Sequence, residues 1–498
     1  GAQVRVPRRA TLNRRIGGLF PTDFDPARWG VPASMLDSID PIAVWNLVSA
    51  VDAFVSAGFS PAELLRFIHP ADLACTQGTG FGGMRSMHKL FVDRFLGEEY
   101  PQDILQETLP NVVAAHTMQS YIGGYGSMIN PVGACATAAV SIEEGVDKIA
   151  AHKADFVVAG AIDDIQVESI VGFGSMNATA NSQELLDRGI SPRFVSRAND
   201  RRRGGFVEAQ GGGTVLLARA SVAVEMGLPV LAVVAHAQTF ADGAHTSIPA
   251  PGLGALAVAR GGASSPLARS LAALGVGVDD VAFVSKHDTS TNANDPNESD
   301  LHTRVGRALG RSAGNPLLVV SQKTLTGHAK GGACVFQVGG IIDAFRSGVI
   351  PANIALDCVD DKMEQYSPLV WLRSPLDLSA RGPVRAAFAT SLGFGHVSGF
   401  LALVHPGAFE AVVEREAGSE ALARWRSASD ARLRAGSRHF EMGMLGHAPL
   451  FEPVDARRLP DDPALGAAGD PHEVEAQMLL DPRARLGADG YYHLPDQQ

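Results

Sequence analysis

Cysteine is scarce in this chain, and an excess of positive charge is missing altogether. Four cysteines, Cys75, Cys135, Cys334 and Cys358, are spread over 498 residues, and none forms a Cys-x-x-Cys pair. That argues against a zinc site and fits a reducing, cytoplasmic setting. Lys and Arg total 42 against 53 Asp and Glu, a formal net charge of −11, so nucleic acid and anionic membranes are poor candidate partners. No apolar run reaches the roughly 18 residues that a membrane span needs, and no secretory signal opens the chain. Residue 1 is Gly rather than Met, as expected of a fragment or a processed piece. Glycine is plentiful, at 54 residues, and implies many tight backbone turns. Hydrophobic content of 46% and charged content of 19% describe an ordinary soluble globular chain. The length suggests about three domains or two large ones.

The order of elements is legible from periodicity. Residues 1–34 hold Arg5, Arg8, Arg9, Arg14, Arg15 and Arg28 among several Pro and Gly, and read as an arm or linker. A helical pattern follows from Ser34 to Phe59. Residues 72–83 are Gly-rich but lack a following Gly-Lys-Ser/Thr, so backbone packing space explains them better than a phosphate loop. Strands are predicted at 155–160, 214–218, 229–240, 281–285, 317–321, 384–390 and 399–404, and helices at about 105–129, 265–274, 298–309 and 330–347. Alternating strands and helices argue layered α/β architecture. Two cycles, 35–250 and 251–406, look loosely alike, because in each a Gly-rich turn opens a long helix, at Cys135 and at His328. Residues 407–498 shift in composition and read as a helical, then surface-wrapping, extension.

One stretch organises the rest: Asn130-Pro131-Val132-Gly133-Ala134-Cys135-Ala136-Thr137. Pro and Gly mark a tight turn, and apolar residues at 139, 142, 146 and 149 mark the helix that follows. Cys135 therefore sits at a helix mouth, where free N–H groups and the helix dipole favour a thiolate. A buried Cys under a helix is the blander reading. Against it stand two histidine motifs, each just past a predicted strand: Lys286-His287-Asp288-Thr289-Ser290-Thr291 and Lys323-Thr324-Leu325-Thr326-Gly327-His328. Strand ends are where α/β sheets place ligand-binding loops.

These three motifs, with Gly393-Phe394-Gly395 and Asp200-x-x-Arg203-x-Gly205-Phe206, resemble the β-ketoacyl synthases in order and spacing over residues 35–406. The chain is most similar to the ketosynthase of type I fatty acid synthases, in the fungal α subunit and its actinobacterial relatives. Asp103-Ile104-Leu105-Gln106-Glu107, Asn292-Ala293-Asn294-Asp295-x-Asn297-Glu298 and Leu480-Asp481-Pro482-x-Ala484-Arg485 carry that closer likeness. The resemblance implies a thiolase-like fold with two duplicated βαβ-rich halves in five αβαβα layers, and a homodimer. It implies that residues 1–34 lead in from an upstream ketoreductase. It also implies a decarboxylative condensation in which Cys135 carries the acyl chain and His287 and His328 steady the enolate of malonyl-acyl carrier protein. Lys323 would order the histidines, and the N–H groups of Cys135 and Phe394 would form the oxyanion hole. Phe394 would gate the acyl pocket, and Glu298, Asp200 and Arg203 would give structural support. No metal and no cofactor are implied in this domain, since phosphopantetheine arrives on the carrier protein. Two histidines, rather than His and Asn, imply elongation of carrier-bound chains.

Two positions depart from the family pattern. Asp288 replaces the usual Gly beside His287, and either raises that histidine's pKa or faces solvent. His396 stands where small or amide residues are common and reads as neutral variation. Arg193, Arg197, Arg201, Arg202, Arg203 and Lys330 are candidates for docking an acidic carrier protein, although a solvated loop or internal ion pairs account equally well for the arginine run. Two alternatives remain. A thiolase needs a second catalytic Cys in the C-terminal glycine loop, and residues 391–399 contain none. A non-catalytic dimerisation module would leave Cys135, both histidines and Lys323 without a purpose.

Overall fold

The structure, a computed structural model, describes residues 12–21, 23–97, 99, 101–243, 252–451 and 471–493. Arg5, Arg8 and Arg9 of the expected arm lie outside the described residues, as does the 250/251 boundary.

Pro41–Ala57 forms helix α1. Asp40 caps it by accepting the Ile42 N–H at 3.1 Å, and Pro41 takes the first helical position, where no N–H is required. Strand β1 (Leu73–Cys75), helix α2 (Thr137–Ala150), strand β2 (Phe156–Asp163) and strand β3 (Gly211–Ala218) follow. Then come β4 (Val233–Ala241), α3 (Pro266–Ala273), β5 (Val281–Ser285), α4 (Asn294–Ala308), β6 (Leu317–Val320) and α5 (Ala333–Ser347). Strands β7 (Leu369–Trp371), β8 (Ala386–Gly393) and β9 (Val397–Val404) complete the sheets, and α6 (Gly407–Met444) bends at Gly418, φ 87°.

Of the two larger sheets among the described residues, one has the order β1-β2-β3 and the other β4-β9-β8-β5-β6-β7. In the first, β2 runs parallel to β1 and antiparallel to β3. In the second, β8 and β9 form a hairpin and β5 lies parallel to both β8 and β6. The pairing changes sheets between β3 and β4, ahead of residue 250, so β4 belongs with the second sheet although the sequence groups it with the first half.

Strand alternation sorts the core into separate layers. On β2, Phe156 and Val158 pack outward with Leu47, Val51 and Phe54 of α1 and with Phe409 and Trp425 of α6. Val157, Ala159 and Ala161 face inward onto Ala138, Ala139 and Ile142 of α2 and Val338 and Ile341 of α5. On β9, Leu401 and Leu403 join that central layer, while Phe400 and Ala402 turn outward to Leu267 of α3 and Leu301 of α4. The result is five layers, αβαβα. Each large apolar side chain so buried contributes about 1.5–3 kcal/mol.

The C-terminal extension does more than wrap the surface. Met478, Ala484, Leu486 and Tyr492 belong to the outer core over α1. The Leu486 N–H donates to Leu65 O at 3.0 Å. Strand β1 lies in the stretch read from sequence as a glycine loop. The glycines that follow it supply packing space: a Cβ on Gly78 would stand 2.5 Å from Pro131 O. Among the described residues no helix is long and apolar enough to cross a membrane.

Candidate active site

Cys135 lies in a short 3-10 turn, Ala134–Ala136, that runs directly into α2. Ala134 adopts φ 47°, a left-handed conformation unusual for a side-chain-bearing residue, which makes the turn sharp. Thr137 holds it, its hydroxyl donating to Ala134 O at 2.7 Å and accepting the Gly133 N–H at 2.9 Å. From the β8 side, Ser391 Oγ donates to Cys135 O at 2.9 Å, and the Phe394 N–H reaches the Cys135 sulfur.

His287 follows the last residue of β5 by two positions. Its N–H donates to Glu298 Oε1 at 2.7 Å. Lys323 Nζ contacts His287 Nδ1 at 3.0 Å and also donates to His287 O. An ammonium donating to Nδ1 leaves the ring proton on Nε2, directed at the cavity. His328 is pinned by its backbone, with its N–H on Val207 O at 2.7 Å and its O accepting the Ala209 N–H at 3.0 Å. The two imidazoles meet edge to face, centroids 5.1 Å apart, and Phe206 braces His328 from another side at 5.0 Å. The Cys135 sulfur and a ring nitrogen from each histidine all lie within 4.8 Å of one another. All three residues open onto one cavity of about 560 Å³, together with Phe206, Phe394 and Met176. That is a size suited to a small-molecule ligand.

Burial controls the electrostatics here. Cys135 is only 6% exposed, and burial pushes its thiol up to about 11, against the pull of Lys323, Lys330 and the Phe394 N–H. This runs against the expectation of a thiolate at a helix mouth: burial costs the anion more than Lys323, Lys330 and the Phe394 N–H return. Burial, then Lys323 and the neighbouring ring, holds His287 well below the ordinary histidine range; burial, Lys323 and Lys330 do the same to His328. Both rings are neutral at pH 7. A metal-bound histidine uses its second ring nitrogen as a donor to an acceptor. At His287 that nitrogen faces an ammonium, so the cluster fits hydrogen-bond donation to an anionic oxygen better than cation binding.

Two family models cover most of the chain: β-ketoacyl synthase, N-terminal domain, over residues 3–223, and β-ketoacyl synthase, C-terminal domain, over residues 231–357. The chain belongs to the β-ketoacyl synthase family. Fatty acid synthase 2 of Mycosarcoma maydis is 34% identical over 497 residues, covering 99% of this chain and 13% of that protein. The fatty acid synthase subunit alpha of Saccharomyces cerevisiae is 30% identical over 575 residues, covering 98% of this chain and 30% of that one. The chain thus spans under a third of the length of these relatives. Among solved structures, the noncanonical ketosynthase FabY from P. aeruginosa superposes with a TM-score of 0.79 at 24% identity, covering 87% of this chain and 67% of that one. The fold is accordingly thiolase-like.

Around this ketosynthase centre the supporting residues are carboxylates and their partners. Glu298 spans the His287 loop: Oε1 accepts the His287 N–H and the Thr390 hydroxyl, and Oε2 accepts the Asp288 N–H at 2.7 Å and Asn294 Nδ2 at 2.9 Å. Asp200 accepts Arg197 Nε at 3.1 Å and the N–H groups of Asp357 and Cys358 at 3.0 and 2.9 Å, and stays ionised down to about 2. Arg203 donates to Asp360 at 2.6 Å. Asp288 neither faces solvent nor raises the His287 pKa; it is buried on Lys286. His396 sits in the β8–β9 turn at φ 65°, its O accepting the Asp242 N–H at 3.0 Å.

The docking candidates divide. Arg197, Arg203 and Lys330 are buried and paired to Asp200 and Asp357, to Asp360, and to Glu208 respectively, so none meets a carrier protein. Arg202 is half-buried and also pairs with Asp200 and Asp357. Arg193 and Arg201 remain exposed. Sequence reasoning missed Asp163. Its carboxylate accepts the Gly80 N–H at 3.0 Å, the Phe81 N–H at 3.2 Å and the Gly331 N–H at 2.7 Å, tying both halves together behind Cys135. The available signal was a carboxylate ending a fully apolar strand, which demands partners.

Proposed function

We propose that this chain is the condensing domain of a fatty acid synthase, an acyltransferase that joins an acyl group held on Cys135 to malonyl-acyl carrier protein and yields 3-oxoacyl-acyl carrier protein and CO2. The observation that carries the reading is the convergence of Cys135, His287 and His328 on one cavity, within 4.8 Å of each other. In the first half-reaction the Cys135 sulfur attacks the acyl thioester of phosphopantetheine and the pantetheine thiol leaves. The thiol proton travels to that leaving sulfur, with a neutral imidazole as carrier. The oxyanion meets the N–H groups of Cys135 and Phe394. In the second half-reaction the malonyl carboxylate departs as CO2 and the enolate oxygen takes hydrogen bonds from His287 and His328, each worth roughly 3–4 kcal/mol of barrier. The enolate carbon then attacks the acyl-Cys135 carbonyl, and the expelled sulfur takes up one proton. Lys323 fixes the His287 tautomer. Phe394 gates the acyl pocket, and Glu298, Asp200 and Arg203 hold the loops.

Several features support the assembly expected of such a domain. Met128, Ile129 and Val132 are exposed just ahead of Cys135, and residue 128 pairs with β1 at the sheet edge. An apolar sheet edge suits a second copy of the chain. The carrier protein is acidic, which suits exposed Arg193 and Arg201. The greater length of the relatives supports further synthase domains beside this one; in this reading a ketoreductase lies upstream and the assembly is cytoplasmic. A thiolase reading lacks its second sulfur: neither Cys334, which is buried, nor Cys358, which is exposed, lines the cavity.

The decisive experiment follows malonyl-dependent condensation with acyl carrier protein substrates. Wild type condenses and Cys135→Ala does not, whereas Cys135→Gln releases CO2 without condensing. Equal condensation by wild type and Cys135→Ala refutes the reading.

A further inference from the structure

Lys286 and Asp288 flank His287, yet neither side chain lines the catalytic cavity, and both are fully buried at 0% exposure. Lys286 Nζ lies 2.7 Å from Asp288 Oδ1. The same ammonium donates to Ser299 Oγ at 3.0 Å and Asp295 O at 3.1 Å, both on α4, and to Asn199 Oδ1 at 3.2 Å. Asp288 Oδ2 accepts Asn199 Nδ2 at 2.8 Å and the hydroxyl of Ser321, two residues ahead of Lys323. The pair therefore bridges α4, the Asn199 loop and the end of β6, with His287 in the middle.

Asp288 holds this place at φ 39°, in the left-handed region. A side chain is strained there and glycine is the ordinary occupant. Strain at a position persists only where surrounding contacts over-determine it, and the three groups around this carboxylate, Lys286, Asn199 and Ser321, do so. Glycine at 288 would relieve the backbone but remove the carboxylate 2.7 Å from the buried Lys286 ammonium, and removing one partner of a buried charge pair is strongly unfavourable. Residues 286 and 288 are thus conditional on one another. They also flank His287 in the chain, and Asp288 holds Ser321, two residues ahead of the Lys323 that contacts His287.

Resting on the condensing function proposed above, we infer that Lys286 and Asp288 act as one neutral pair that positions His287 and Lys323 for the decarboxylation half-reaction, not for acyl transfer to Cys135. The test compares Asp288→Asn, Lys286→Met and the double variant. Malonyl decarboxylation is read in a Cys135→Gln background, acylation of Cys135 by mass shift in the intact background, and folding by thermal melting. Each single change is expected to lower decarboxylation at least tenfold while acylation stays within twofold, and the double variant is expected to recover decarboxylation to within about threefold of the parent. Folded single variants with unchanged decarboxylation overturn the inference. So does a parallel fall in both half-reactions, or a double variant whose loss is the product of the two single losses. Should the single variants fail to fold, the double variant alone decides, since it lacks both charges: recovery upholds the pair and persistent loss refutes it. Absence of CO2 release from Cys135→Gln itself refutes the condensing reading instead, so the two failures are distinguishable.

Discussion

The turns that open α2 and α5 are built alike. Each is a three-residue 3-10 turn, Ala134–Ala136 or Lys330–Gly332, leading straight into a helix of 14 or 15 residues in the central layer. Each starts on a non-glycine residue in the left-handed region, Ala134 at φ 47° and Lys330 at φ 48°. Their middle residues differ. Cys135 puts sulfur into the cavity, whereas the Gly331 N–H donates to Asp163 at 2.7 Å, and a Cβ there would stand 2.7 Å from that carboxylate and 3.0 Å from Gly80 N. In the proposed reaction one turn delivers the nucleophile. Its counterpart is filled by the frame, and its half would supply chemistry from the loop before it, at His328. On that reading a duplicated scaffold keeps the backbone geometry of both copies and divides the reaction between them.

Four substitutions test that division. The largest effect is expected at the histidines: His287→Ala or His328→Ala lowers malonyl decarboxylation about 10²–10³-fold, the usual cost of one lost oxyanion donor. Acyl transfer to Cys135 survives in each single variant, because the remaining imidazole still carries the thiol proton, as a single-turnover acylation assay will show. Comparable loss of both half-reactions would break the division. Next comes the frame. Gly331→Ala overpacks against Asp163 and destabilises by about 1–3 kcal/mol, read as a lower urea midpoint. Ala134→Gly at the matching position removes strain and is expected to stay within about 1 kcal/mol.

Much of this comparison is readable from sequence. The runs at 281–285 and 317–320 mark buried strands, and His287, Lys323 and His328 stand just beyond them, where loops meet ligands. The turn at Cys135 is announced by Pro131 and Gly133. What stays hidden depends on partners far along the chain. The arginine run that ends at Arg203 reads equally well as a solvated loop or as internal ion pairs until Asp360 closes on Arg203 across 157 residues, and Arg197 reads as a docking candidate until Asp357 closes on it across 160. Strand β1 is only three residues long and offers no periodicity. The tail reads as polar wrapping because its buried residues, Met478, Ala484 and Leu486, are spaced too irregularly to show a face. The state of the thiol is hidden for the same reason: a helix mouth is local, whereas the burial that overrides it is tertiary.

That last contrast sets the pH behaviour of the two halves. With the Cys135 thiol at about 11, the thiolate fraction at pH 7 is very small and rises tenfold per pH unit. Alkylation of Cys135 by iodoacetamide is therefore expected to climb from pH 7 to pH 10 without a plateau, and a plateau near neutrality would show that the turn does stabilise the anion. The histidines move the other way. Their pKa values are held down, so acidification from pH 8 to pH 6 leaves both rings neutral, and decarboxylation by Cys135→Gln stays flat where an unperturbed histidine would titrate near 6.5.

The smallest expected effect lies on the surface of the first half, where only Arg193 and Arg201 of the docking candidates stay exposed. Exposed charges at a rim change encounter more than the bound state. Arg193→Glu and Arg201→Glu are therefore expected to raise KM for carrier-bound substrate a few-fold, to leave kcat unchanged, and to spare small pantetheine thioesters. The rise shrinks as salt is added, because a Debye length of about 8 Å at physiological ionic strength already screens surface charge. Arg203→Glu gives the contrasting result, since it sets a third acid beside Asp360 and Asp295 and costs folding rather than docking. If Arg201→Glu lowers the melting temperature as Arg203→Glu does, then the arginine run is one internal network and the carrier protein meets the domain elsewhere.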